Sequence, residues 1–239
     1  MNRVPLVLAS SLGTTSAIWD PVLPALPLDV LTVELPGSRG EPAPPGPYTL
    51  ADLGGDVLAR LDAEGLERVS YCGLSLGGMV GLWLAAHAPE RIDRLVACCC
   101  AARLGTPALW RERAATVRAG GTRAVADAVV PRWFTAGFRE RAPDVVAATV
   151  DTLAGADAEG YAGCCEALAT ADLTPDLAKV LAPALVVAGA DDPVATPDLV
   201  ADLVHGLQHA RLAVLPGASH LASLEAPDEV AALLLDHLT

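Results

Sequence analysis

The chain predicts an α/β fold: a mostly parallel, doubly wound sheet carrying a helical insertion. Three observations lead there. Six apolar runs of strand length recur along 239 residues, and they are near-continuous rather than alternating, as strands covered on both faces must be. Helical patterns separate most of them, the βαβ rhythm of a parallel sheet. One connection of about 83 residues, from 101 to 183, contains no convincing strand but several short helical patterns. A structureless loop of that length is improbable, so a helical insertion is expected there.

Taken in order, the strands are expected at 4–9, 30–35, 69–73, 94–100, 184–190 and 211–215. Helices are expected at 50–64, 76–88, 197–206 and 226–237, and within the insertion at 106–119, 122–130, 142–153 and 157–169. Residues 20–28 and 42–47 are proline-rich and read as a turn or short helix and as a stiff surface turn. The organisation that follows is a core of residues 1–101 and 182–239 with a helical lid of residues 102–181 over the strand C-termini.

Composition narrows the function classes. The chain is 52% hydrophobic and 19% charged, enough for a large core in one domain. A net charge of −13 argues against nucleic acid and anionic membranes as partners. No stretch is long and apolar enough to span a bilayer. Met1-Asn2-Arg3 leads into an apolar run that Pro5 interrupts, unlike a signal peptide, so a cytoplasmic location is expected. The six cysteines, three of them consecutive, have neither disulfide-framework nor C-x-x-C spacing and read as reduced, buried apolar residues. No metal or organic cofactor is implied: the glycines around residue 75 are not a dinucleotide fingerprint, and there is no P-loop lysine.

The chemistry centres on Gly73-Leu74-Ser75-Leu76-Gly77, a G-x-S-x-G sequence at a strand-to-helix junction. A serine in such a turn is held in strained backbone geometry with its hydroxyl presented, and a Cβ at either flanking glycine would strike neighbouring backbone. A serine nucleophile needs a base and an orienting acid, in the chain order Ser, acid, His. His220 fits as base, because it follows the last strand in a loop at a sheet C-terminus. His87 reads as a helix cap, and His205, His209 and His237 as residues on or near surface helices. The acid lies in Ala190-Asp191-Asp192-Pro193. Asp192 has the Gly-x-x-Asp placement and is preferred to Asp191, which would then be a loop or capping carboxylate. Two backbone N–H groups should hold an oxyanion: Leu76, directly after the serine, and Leu12 in the loop 10–15, counting back from Trp19. Arg103 and Arg132 are candidates to bind a substrate carboxylate. Trp133, Phe134 and Phe138 cluster in one lid segment and either wall a pocket or pack the lid. Trp83 and Trp110 read as core or helix-packing residues.

These residues resemble the α/β-hydrolase superfamily over almost the whole chain. Within it the nearest likeness is to the 3-oxoadipate enol-lactonases of aromatic catabolism, the β-ketoadipate pathway. The resembling stretches are SSLGTTSAIWDP, GLSLGGMVGLWLAAHAPERIDRLV, CCCAARLGTP, RWFTAGFRER, EGYAGCCEAL, VVAGADDP and LPGASHLASLEAP. The resemblance implies cofactor-free hydrolysis of a small carboxylated enol-lactone, with Ser75, Asp192 and His220 as triad and Leu12 and Leu76 as oxyanion donors. Two departures stand out. An Asp-x-Arg-Gly-His-Gly-like turn is replaced by Glu34-Leu35-Pro36-Gly37-Ser38-Arg39-Gly40, and the loop from Asp192 to Pro197 is one residue longer than usual. They keep two alternatives open: an esterase or lactonase of different specificity, and a non-catalytic ligand-binding protein on the same fold. The partner expected in the enzyme readings is a small lactone or ester; the oligomeric state is not read from the sequence.

Overall fold

A computed structural model describes residues 4–239. Met1 to Arg3, on which the signal-peptide reading rests, lie outside the described residues. Six parallel strands form one sheet: β1 (Leu6–Ala9), β2 (Val30–Val33), β3 (Val69–Leu74), β4 (Ile92–Cys98), β5 (Ala184–Gly189) and β6 (Ala210–Leu215), in the order β2-β1-β3-β4-β5-β6. The chain runs outward from β1 to β2 and then returns to lay β3 on the other side of β1. The topological switch point therefore falls between β1 and β3, where ligand sites of open α/β sheets collect. Ala9 pairs with Gly73 in register, so the loops leaving β1 and β3 emerge side by side.

The central strands β1, β3 and β5 are buried at every position, which explains their unbroken apolar sequence. The edges differ. β2 is only half-buried, and β6 exposes Leu212 and Val214. β4 starts two residues earlier than its apolar run predicts, because Ile92 pairs with Val69. It ends at Cys98, since Cys99 turns away with a φ of 47°.

Helices α1 (Leu50–Ala63) and α2 (Leu76–His87) pack beside the sheet. A capping box starts α1: Asp52 N–H donates to Thr49 Oγ1 at 3.2 Å, and Thr49 N–H donates to the Asp52 carboxylate at 2.8 Å. Five helices lie between β4 and β5: α3 (Pro107–Gly120), α4 (Arg123–Val129), α5 (Ala136–Arg141), α6 (Pro143–Gly155) and α7 (Ala158–Thr170). The sequence pattern anticipates four of them. It misses α5, a six-residue turn begun by Thr135, whose hydroxyl accepts from Phe138 N–H at 3.2 Å. Such a helix is too short to show a period. The chain closes with α8 (Pro197–Gly206), α9 (Ala222–Glu225) and α10 (Pro227–Leu238). His237 of α10 corrects the surface reading. It is buried, and its Nε2 lies 3.2 Å from both the Leu95 and Pro183 carbonyls. All six cysteines are free and buried, and the Cys72 and Cys98 sulfurs are 3.9 Å apart, too far for a bond. Among the described residues no helix is long and apolar enough to cross a membrane.

Candidate active site

Ser75 stands between β3 and α2 with φ 56° and ψ −118°, a conformation that costs about 1–3 kcal/mol for a residue with a side chain. Its surroundings hold it there. Ser75 N–H donates to the Cys98 carbonyl at 2.8 Å, and the Ser75 carbonyl accepts from Met79 N–H in the first turn of α2. A Cβ at Gly73 would come within 2.2 Å of the Gly77 carbonyl oxygen, and one at Gly77 within 2.4 Å of the Ser10 carbonyl oxygen. Both contacts are with backbone that cannot swing away, so both glycines are required by close approach.

His220 arrives from the loop after β6. Its Nε2 lies 3.0 Å from Ser75 Oγ, and its Nδ1 lies 2.8 Å from Asp192 Oδ2. With Nδ1–H donating to the carboxylate, Nε2 is the acceptor facing the serine hydroxyl. The other oxygen, Asp192 Oδ1, accepts from Val194 N–H at 2.7 Å and Ala195 N–H at 3.2 Å. Both side chains are almost fully excluded from water. The adjacent Asp191 is exposed, and only its backbone takes part: its N–H donates to the Ala218 carbonyl, and its carbonyl accepts from Ser219 Oγ. Of the two carboxylates, the structure brings Asp192 to the histidine.

A carboxylate that the sequence reading missed anchors the histidine loop. Buried Glu225 accepts Ser219 N–H on Oε2 at 2.5 Å, and on Oε1 it accepts both Thr135 N–H and Thr135 Oγ1–H at 2.8 Å. Leu221 N–H adds a bond to the Trp133 carbonyl at 3.2 Å. The loop is thus tied to the inserted segment on both sides of His220. The visible signal was a lone acid five residues after the histidine, too weak to separate from a helix-start carboxylate.

The loop after β1 is a tight turn in which Thr14 Oγ1 accepts Ser11 N–H and donates to the Ser11 carbonyl. It brings Leu12 to the same cavity as Ser75 and His220. Leu76 is the first residue of α2, where a helix has no internal acceptor for its N–H. The two residues expected from sequence to donate thus come from two different elements, one lining the serine's cavity and one directly following the serine.

The cavity holds about 200 Å³. That is below the ~300–1,000 Å³ of pockets for drug-sized ligands, so it suits a small compound. Trp133 lines it, with its ring 6.4 Å from the imidazole. Arg132 lines it from an exposed position. Phe134 and Phe138 do not; they stack on each other at 5.1 Å and pack the insertion. Arg103 does not reach the cavity either. It is exposed and ion-paired with Asp172, because its buried neighbours Ala102 and Leu104 turn its side chain outward. Trp110 is a cavity residue as well as a packing one, with Arg113 on the same wall. Their i, i+3 spacing on α3 was the available signal. A larger groove of about 440 Å³ lies between β2 and α1, lined by the ion-paired Glu34 and Arg39, but it holds no nucleophile–base pair. Among the described residues no cluster of three or more His, Cys, Asp or Glu side chains could hold a metal ion.

Residues 6–233 match the model of the alpha/beta hydrolase family. The chain is 40% identical to 3-oxoadipate enol-lactonase 2 of Acinetobacter baylyi over 95% of its own length and 85% of the relative's. It is 34% identical to 3-oxoadipate enol-lactonase 1 of the same organism over 95% and 86%. Among solved structures, the enol-lactonase from Burkholderia xenovorans LB400 superposes with a TM-score of 0.95 at 41% identity, over 100% of this chain and 92% of that one.

Proposed function

The chain belongs to the alpha/beta hydrolase family, and from that membership we propose that it is a carboxylic ester hydrolase that opens a small carboxylated enol-lactone. The substrate class rests on its similarity to proteins named 3-oxoadipate enol-lactonases along nearly the whole chain. The observation that carries the chemistry is the unbroken relay from Ser75 Oγ through His220 to Asp192 at the mouth of a small cavity.

In this reading residues 102–181 are a lid, and Trp133 walls the cavity. His220 Nε2 takes the Ser75 proton as Oγ attacks the lactone carbonyl. Asp192 keeps the imidazole in the required tautomer and stabilises its charged form. The Leu12 and Leu76 N–H groups receive the oxyanion, each worth about 3–4 kcal/mol of barrier. The tetrahedral intermediate collapses by breaking the ring C–O bond. The departing enol oxygen takes the proton from His220, and the enol becomes a ketone. Water then gives a proton to His220 and attacks the Ser75 ester. Ser75 leaves with that proton, releasing the second carboxylate. No further reactant is needed.

The test is a panel of lactones and esters that includes the enol-lactone of 3-oxoadipate, run beside labelling with a serine-reactive phosphonate. The expected result is ring opening of the enol-lactone and labelling of Ser75, both abolished in Ser75→Ala. An active, labelled Ser75→Ala protein would falsify the serine assignment. Turnover of simple esters without the enol-lactone would overturn the substrate class.

A further inference from the structure

Two polar groups on the cavity wall have no use in the relay. Arg113, partly buried on α3, has no carboxylate partner among the described residues, in a chain with 29 acidic residues against 16 basic ones. Three other arginines of the insertion do pair: Arg118 binds Glu159 and Glu166, Arg123 binds Asp127 and Asp151, and Arg103 binds Asp172. The Arg113 guanidinium instead lies over the Trp110 ring, 4.7 Å from its centre. That face-on contact orients the cation without neutralising it.

Across the wall stands Tyr161 of α7. Its hydroxyl is buried, and among the described residues no hydrogen bond of full geometry satisfies it. Burial is the main influence raising its pKa, and both the charge of Arg113 and a side-chain hydrogen bond with it oppose that rise, which places the two groups beside each other. A buried hydroxyl left unpaired costs about 1–3 kcal/mol, a penalty that a bound acceptor would relieve. The other lid arginine on the cavity, Arg132, is exposed and has no aromatic ring to orient it.

We propose that Arg113 and the Tyr161 hydroxyl form the anion subsite of this cavity, holding the substrate's free carboxylate while its lactone carbonyl lies at Ser75. The inference rests on the lactonase reading above and adds the residues that set its selectivity. Arg113 offers two parallel N–H donors to a carboxylate, and Tyr161 adds a third. In a chain of net charge −13 this local positive site is what lets an anion enter.

The experiment compares two substrates that differ only in the anion: the enol-lactone of 3-oxoadipate, which carries a carboxymethyl group, and α-angelica lactone, which carries a methyl group there. The quantity read is the ratio of their kcat/KM values. Arg113→Met is expected to lower that ratio roughly tenfold to a hundredfold, chiefly through KM for the anionic substrate. Arg113→Lys keeps the charge but loses the paired donors, and is expected to recover part of the ratio. Tyr161→Phe is expected to lower it severalfold without lowering thermal stability, since in the free protein its hydroxyl makes no hydrogen bond of full geometry. Arg111→Met carries the same charge change on an exposed position outside the cavity and should leave the ratio unmoved. Should Arg113→Met fail to fold, Arg113→Lys and Tyr161→Phe decide the matter alone. A ratio that stays within twofold in the folded Arg113 and Tyr161 variants overturns the subsite, and so does a wild-type protein with no preference for the anion. If the wild type opens neither lactone, the lactonase reading itself is what fails.

Discussion

The strand-end loops and the helical insertion face each other across one cavity, and they treat their polar groups in opposite ways. On the loop side every polar atom of the relay is paired. Asp192 accepts three hydrogen bonds, and both nitrogens of His220 are engaged. On the insertion side Arg113 and Arg132 have no carboxylate partner among the described residues, and no hydrogen bond of full geometry satisfies the Tyr161 hydroxyl. A satisfied network is rigid and ready before anything binds. An unsatisfied set gains its bonds only when a ligand supplies acceptors. In the proposed mechanism the contrast divides the labour of the site: chemistry is preassembled on the sheet, and recognition is left open on the helices.

The sharpest way to break this picture is within the loop side. Asp192→Asn is expected to lower kcat by about 10³–10⁴, because an amide cannot hold the imidazole in the working tautomer. Asp191→Asn, one residue away and exposed, should change kcat less than threefold or so. Comparable losses in steady-state assays of the two variants would mean that the relay is not the unit that works.

Glu225 sharpens the comparison, since it ties the two regions together. Glu225→Gln leaves one of its three donors facing an amide nitrogen and removes the charge from the others. We expect kcat to fall about tenfold to a hundredfold through misplacement of His220. Thermal unfolding should shift by an amount equivalent to about 1.5–3 kcal/mol. A lowered melting temperature with unchanged kcat would assign Glu225 to folding alone.

Arg103 tests the insertion side from outside the cavity. It is exposed and paired with Asp172, and such pairs are worth little. Arg103→Ala should leave lactone selectivity within about twofold. A selective loss for the anionic lactone would show that Arg103 reaches the substrate after all.

The smallest effect lies away from both regions. Burial is the largest influence holding the His237 pKa below the usual 6.5, and the nearby charges of Arg211 and Arg94 act the same way. The Pro183 and Leu95 carbonyls partly oppose them. The folded state therefore binds fewer protons here than the unfolded chain. This contribution to stability is present above about pH 6.5 and is lost as pH falls through the folded-state value. Melting temperature should decline from pH 7.5 to 5.5, and less steeply in His237→Gln. Parallel declines would remove His237 as a source.

The elements that sequence made legible are those whose cause is local. Gly73 and Gly77 are demanded by a turn five residues long, and the Thr49–Asp52 capping box by four. The central strands announce themselves because burial on both faces leaves no polar position. Ser75, the acid and His220 could be ordered along the chain because each follows a strand, and parallel strands deliver all their C-terminal loops to one edge. The helix α5 escaped because one short turn has no period, and His237 because an amphipathic helix does not say how deep its last turn sits.

What sequence could not decide depended on which side chains meet across the insertion. Two adjacent aspartates differ by one backbone step, and the bonds that the folded loop makes, Asp191 N–H to the Ala218 carbonyl and Val194 and Ala195 N–H to the Asp192 carboxylate, accompany one turned outward and the other on His220. Arg103 and Arg113 look alike in a chain with 15 arginines, yet one finds Asp172, 69 positions on, and the other finds a tryptophan face and the cavity. Glu225 joins Ser219 to Thr135, 90 residues before it. The sequence by itself determined the candidate nucleophile, its candidate base and the sheet that carries them, because steric limits on backbone act between near neighbours. Only the tertiary structure decided the recognition side, because the partner of a long charged side chain is set by the packing of helices whose contacts no local pattern encodes.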